Sequence, residues 1–149
     1  MVAYGFKPFF SGQIESGSKC QTVRGHRPRH ARPGERVQIY QGMRTKYCRK
    51  IVPDTLCTMV LPIEIAISDL IDELVASIIV DGVHLKRDQV EAFARQDGFA
   101  PELLGEGFPT KLRGRTARET MGRFWVATHP GVTKFSGVLI KWQAEAGSP

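Results

Sequence analysis

Glycine and proline break this chain 15 and 9 times in 149 residues, so few stretches are free to run as one long element. The fold has to be assembled from short pieces. Between the breaks, alternation of polar and apolar residues is commoner than helical periodicity. Residues 35–41 alternate, with Val37 and Ile39 set against Arg36 and Gln38, and stop at Gly42, which predicts a half-buried strand. Residues 47–51 read as a second strand. Residues 56–67 read as a third, in which Pro62 implies an edge or a bulge. Residues 77–80 form a further strand, with Asp81-Gly82 as a hairpin-type turn and residues 83–85 continuing beyond it. The last strand spans residues 135–142.

Helices are fewer. A short one ends at Gly17, a position suited to a helix-terminating glycine. A second starts after Lys86, places Val90, Phe93 and Ala94 on one face and stops at Gly98. A third opens on Thr116, with Glu119 three residues on as in a capping box, and ends at Pro130. Residues 25–34 form a loop with three arginines, and a Gly- and Pro-rich linker covers residues 99–115. Many short strands with a few helices predict an α+β chain, built as a small mixed barrel flanked by helices.

At 16.6 kDa the chain can bury one core but not two, which predicts a single domain over residues 1–143 followed by a flexible tail over 144–149. No apolar run reaches membrane-spanning length, and the first residues contain no signal-like apolar core, so the expected location is cytoplasmic, with no membrane partner. Three cysteines, Cys20, Cys48 and Cys57, read as reduced thiols. There is no Cys-x-x-Cys, and Pro28 separates His26 from His30, so no metal site and no cofactor are expected. Nothing in the pattern sets an oligomeric state.

The net charge of +6 conceals a sorted distribution. Residues 1–60 hold eleven basic and three acidic side chains, residues 61–110 three and ten, and residues 111–149 seven and two. Two basic ends around an acidic middle suggest a positive face for a polyanion, provided the fold brings those ends together. Arg27, Arg29, Arg32, Arg44, Lys46, Arg49 and Lys50 lie on two loops flanking one strand, with Tyr40 and Tyr47 interleaved. Arginine forks match phosphate oxygens and tyrosine faces stack on unpaired bases, a composition suited to single-stranded RNA. A basic surface that serves only solubility has the same composition. The acidic middle could instead serve a protein partner.

Gly17, Lys19, Thr22 and Arg24 have the spacing G-x-K-x-x-T-x-R, which resembles the signature of ASCH domains in the PUA-like superfamily. Further pieces in the family's order are residues 33–40, which resemble its second conserved strand, Gln96 to Phe99, which resemble its acidic-Gly-Phe helix end, and Phe124-Trp125 with residues 137–142, which resemble its closing helix and strand. The resemblance implies a barrel of five or six strands and a cleft that accepts RNA or a modified nucleoside. Relatives include amidohydrolases that act on N4-acetylcytidine, ribonucleases and RNA binders. In the amidohydrolases a lysine, this threonine and a distant glutamate form the catalytic set. Lys19, Thr22 and Asp97 are the corresponding candidates here, with aspartate one methylene shorter than the family's glutamate.

The residues themselves allow that chemistry. Lys19 and Thr22 lie three apart and can share one side of a helical turn, or meet at a helix-to-strand junction. A threonine hydroxyl is a weak nucleophile until a base takes its proton, and a lysine whose pKa is lowered by desolvation and by cations such as Arg24, Arg27 and Arg29 can be that base. Metal-independent RNA cleavage would draw its acid and base from Lys19, His26 or Tyr47. Each residue also has a plain structural reading: Lys19 as a solvated lysine, Thr22 as a strand residue, Asp97 as a cap at the helix end, Arg24 as the partner of an internal carboxylate, and Trp125 and Trp142 as core. The expected function is therefore binding of RNA or a modified nucleoside in a basic cleft through Arg24, Arg27, Arg29, Tyr40, Arg44, Lys46, Tyr47 and Lys50. Hydrolysis through Lys19 and Thr22 is the alternative.

Overall fold

The computed structural model describes residues 1–144; residues 145–149, most of the expected tail, lie outside the described residues. The described residues are mixed α+β, with seven strands and three α-helices. In order these are β1 (Val2–Phe6), α1 (Ser11–Ser16), β2 (Gln21–Gly25), β3 (Arg36–Gln41), β4 (Arg49–Ile67), β5 (Val75–Val80), β6 (Val83–His84), α2 (Arg87–Ala94), α3 (Ala117–Thr128) and β7 (Lys134–Trp142). No helix among the described residues is long and apolar enough to cross a membrane.

β4 is the spine of the sheet. Two separate strands were expected around Pro53, but a single 19-residue strand runs through it. Its first part pairs antiparallel with β3, and the register shifts where Val37 faces Thr55 and Ile39 faces Val52, so Pro53 and Asp54 are absorbed in a bulge. Its second part pairs with β7 and with β5. Pro62 falls where the β5 ladder ends, and its carbonyl accepts from the Asp81 N–H at 2.8 Å. There a missing donor breaks no rung.

β1 was not expected, yet Val2, Tyr4 and Phe6 alternate inward and the strand pairs parallel with β3. The path β1–β3–β4–β7–β2 then stops: the expected barrel is not closed, because β1 and β2 have no backbone pairing. Side chains bridge the seam instead. Arg24 Nη2 donates to the Gly5 carbonyl at 2.6 Å, and Arg27 Nη2 to the Ala3 carbonyl at 3.4 Å. The core is aliphatic inside the sheet (Val37, Ile39, Ile63, Ile65, Ile78, Leu139, Ile140) and aromatic under the helices.

α3 starts as expected, with Thr116 Oγ1 accepting from the Glu119 N–H at 3.1 Å. It packs tightly on the turn before β5: a Cβ on Gly122 would lie 2.2 Å from the Glu73 carbonyl oxygen and 2.9 Å from Leu74 Cβ. Gly122→Ala therefore has to push α3 off this turn, at a cost of about 1–3 kcal/mol, read as a lower urea midpoint with unchanged slope.

Candidate functional site

The signature residues occupy the junction between α1 and β2. Gly17 takes a left-handed conformation, φ 86° and ψ 2°, with its N–H on the Ile14 carbonyl. Lys19 N–H then returns to the Gln13 carbonyl at 3.0 Å. This reversal turns the Lys19 side chain inward, where it is only 3% exposed.

Lys19 Nζ donates to the Gln21 carbonyl at 2.9 Å and the Asp97 carbonyl at 2.5 Å, and lies 3.9 Å from Asp97 Oδ1. It also sits over the rings of Phe10 (4.8 Å to the centroid) and Phe6 (5.6 Å). Burial is the main reason its pKa falls from 10.5 to about 8; Asp97 opposes the fall and Arg24 adds to it. Asp97 is 4% exposed and accepts from Gln21 Nε2 at 3.1 Å. Burial raises its carboxyl pKa, against the pull of Lys19, the Gln21 hydrogen bond and Arg24. Asp97 stands in a widened turn, Arg95–Phe99, that follows α2, and the next residue, Gly98, has φ 100°. Gln13 Nε2 holds the Gly98 carbonyl at 3.0 Å.

Thr22 is buried at the start of β2, and its Oγ1 accepts from Arg24 Nε at 3.0 Å. A guanidinium on that oxygen leaves the hydroxyl proton free to be donated and favours its loss. Arg24 also spans Phe6 and Tyr4, with 4.9 Å and 5.5 Å to the centroids. The internal carboxylate suggested for it is replaced by a hydroxyl and a backbone carbonyl.

Lys19, Thr22, Arg24 and Asp97 line one cavity of about 360 Å³, which Gly5 and Phe6 of β1 and residues 22–25 of β2 also line. Its walls come from distant elements: Phe6 and Phe10, Phe99, Phe124 and Trp125 on α3, and Phe135 at the start of β7. Phe10, Phe99 and Phe124 interlock, with centroids 5.2–6.2 Å apart. Sequence reasoning placed none of the phenylalanines at the site, and read Trp125 as core; it is both buried and a wall of the cavity.

His129 was also missed, since His129-Pro130 reads only as a helix stop. Its ring stacks on Trp125 at 4.2 Å and lines the cavity. Thr128 Oγ1 donates to the Phe124 carbonyl, so toward His129 Nδ1, 3.0 Å away, it accepts; the Trp125 carbonyl, 3.2 Å away, accepts as well. With two acceptors facing Nδ1, the neutral ring carries its proton there and leaves Nε2 as the lone-pair nitrogen. The cavity thus offers cationic donors, a hydroxyl, a carboxylate and an imidazole acceptor between aromatic walls.

The other predicted binding residues lie outside it. Arg27 covers the Tyr4 ring and donates to the Arg29 carbonyl; Arg29 pairs with Glu35. Lys50 pairs with Asp54 at 2.6 Å and lies 5.9 Å from the Tyr40 ring centroid. Arg44, Lys46 and Tyr47 are exposed on the turn between β3 and β4. The two basic ends do not meet at the cavity. Residues 111–144 give it aromatic and polar groups but no lysine or arginine, while Arg115 and Arg118 line a separate hollow with acidic residues including Asp72, Glu73 and Glu91. Arg115 and Arg118 thus stand beside the acidic middle rather than at the cavity. No family model, curated protein or solved structure matches the chain.

Proposed function

We infer that this chain is an ASCH-type protein of PUA-like architecture that takes a single modified nucleobase into the aromatic cavity. The base would enter as a nucleoside or as one unpaired residue of RNA. The path β1–β3–β4–β7–β2, with its last seam bridged by Arg24, supports the architectural part. The observation that carries the function is the Lys19–Asp97 pair beside Thr22 in a pocket walled by Phe10, Phe124 and Trp125. Planar rings fit between aromatic faces, and a heterocyclic edge can meet both the donors and the acceptors present. Titration calorimetry with cytidine, uridine and N4-acetylcytidine tests this. Saturable binding of at least one of them, lost in Phe124→Ala, is expected; no heat with any of the three and no binding of single-stranded RNA contradicts it.

A second reading, an amidohydrolase for N4-acylated cytidine, is favoured by Lys19, whose pKa of about 8 suits a proton acceptor near neutral pH. Thr22 Oγ would attack the acyl carbon while its proton passes to neutral Lys19. The C–N bond then breaks, and the amine leaves with a proton. Water cleaves the acyl ester, giving carboxylate and cytidine. Release of acetate from N4-acetylcytidine, abolished in Thr22→Val and rising with pH toward 8, is the expected result; a product that persists in Thr22→Val excludes this route. Labelled RNA incubated in parallel tests metal-independent cleavage.

A further inference from the structure

His129 follows the last turn of α3, and its ring is locked in place. It stacks on Trp125 with centroids 4.2 Å apart and 12° between the planes, while Phe135 meets it at 5.6 Å and 70°. Its backbone N–H donates to the Trp125 carbonyl at 2.8 Å, and its own carbonyl accepts from the Val132 N–H at 3.1 Å. Nδ1 faces Thr128 Oγ1 at 3.0 Å and the Trp125 carbonyl at 3.2 Å. A half-turn of the ring would keep the stack but set a C–H against these two oxygens. The observed orientation is therefore the favoured one, with the proton on Nδ1.

That leaves a lone pair on Nε2, which has no partner among the described residues. The other polar side chains of the cavity differ from it. Lys19 and Arg24 only donate. Thr22 Oγ1 accepts from Arg24 Nε at 3.0 Å, so its proton is what it has left to offer. Asp97 Oδ1 accepts from Gln21 Nε2 at 3.1 Å and lies 3.9 Å from the Lys19 ammonium. The donors thus come from the start of β2 and the residues before it, and a rigid neutral acceptor comes from the end of α3, between aromatic rings. An acceptor of this kind discriminates through the cost of leaving it unpaired: a ligand that displaces its water without supplying an N–H or O–H loses affinity.

We propose that His129 determines ligand specificity, its Nε2 accepting a hydrogen bond from an amide or amino N–H on the edge of the bound base. Lys19, Thr22 and Arg24 face the acceptors of the same ring. This rests on the nucleobase reading of the cavity and adds to it the edge group that the site requires. In N4-acetylcytidine that group is the exocyclic amide N–H. The test compares N4-acetylcytidine with its counterpart methylated at N4, which has no N–H there, on the full chain and on His129→Phe.

Wild type is expected to prefer the N–H ligand. His129→Phe keeps a ring against Trp125 but removes the acceptor, so it should weaken N4-acetylcytidine by about 5- to 150-fold. The preference between the two ligands should shrink by a similar factor, whereas a preference caused by the bulk of the methyl group alone would survive. Nitrogen spectra of labelled wild type give a readout that packing does not move: a proton on Nδ1 in the free protein, and a shift at Nε2 on saturation with N4-acetylcytidine. Equal binding of the two ligands by wild type, a preference undiminished in His129→Phe, or a free ring protonated on Nε2 overturns the role of His129 and leaves the cavity reading standing. Absence of binding by N4-acetylcytidine, cytidine, uridine and single-stranded RNA alike overturns the cavity reading as well.

Discussion

Lys19→Met is expected to lower the unfolding free energy by about 3–5 kcal/mol, and Lys19→Met/Asp97→Asn to regain part of that loss. The reason is the asymmetry of buried charge. Taking the Lys19 ammonium and the Asp97 carboxylate out of water is costly, and their mutual attraction offsets this only while both are present. Removing the lysine alone strands a buried carboxylate. Removing both charges abolishes that penalty, and the amide oxygen introduced by Asp97→Asn can still accept from Gln21 Nε2, as the carboxylate does at 3.1 Å. Recovery stops short of wild type because the Gln21 and Asp97 carbonyls lose the ammonium that they share. Urea unfolding of wild type and the two variants measures it, and a double variant no more stable than Lys19→Met would show that the two charges are not coupled.

The same pair gives stability a pH signature. Lys19 titrates at about 8 when folded and near 10.5 when unfolded, so between those values the unfolded chain binds more protons. Its contribution to stability is therefore lowest below pH 8 and rises by about 3 kcal/mol by pH 10.5. Asp97, raised by burial above 3.8, acts in the opposite sense: its penalty is relieved as pH falls through the folded value. In Lys19→Met the rise above pH 8 due to this lysine disappears.

Gly98→Ala is the second large effect. At φ 100° any side chain is strained, and the new Cβ would lie 2.9 Å from both Lys19 Cδ and the Phe10 ring. Left-handed backbone costs a non-glycine residue about 1–2 kcal/mol and overpacking about 1–3, so a loss of about 2–5 kcal/mol is expected. It falls on the site itself, since Lys19 or Phe10 must move to make room. Nucleoside affinity should fall along with the urea midpoint, whereas Gly122→Ala, where α3 meets the turn before β5, should lower stability alone.

How much of this was legible in the sequence depended on the range of the interaction involved. The eight residues from Gly17 to Arg24 form a local reversal, and their spacing alone pointed to Lys19 and Thr22, which line the same cavity. Asp97 joins them from 78 residues away, and it was found only because the segment resembles a family helix end. Its backbone carbonyl, which no side-chain pattern reveals, lies closer to Lys19 than its carboxylate does. The alternation of Val2, Tyr4 and Phe6 was present but overlooked, because a parallel partner such as β3 comes with no turn signal nearby. Pro53 read as a strand break because a bulge that absorbs it depends on register with β3. The role of Arg24 was out of reach for a similar reason: a guanidinium becomes a seam between strands only once β1 and β2 are known to lack pairing. The charge pattern left one condition open. Two basic ends make a single positive face only if the fold brings them together, and Arg115 and Arg118 from the carboxy-terminal end stand with acidic residues of the middle segment instead.

The central claim is that a nucleobase enters the cavity at Lys19. Isotope-labelled protein titrated with N4-acetylcytidine tests it most directly, followed through the Lys19 side chain, the Thr22 amide, the Trp125 indole and the His129 ring. Saturable shifts at these four groups, with the exposed Leu70 and β6 unmoved, are the predicted result. Shifts confined to the turn at residues 42–48, or none at all, would contradict it.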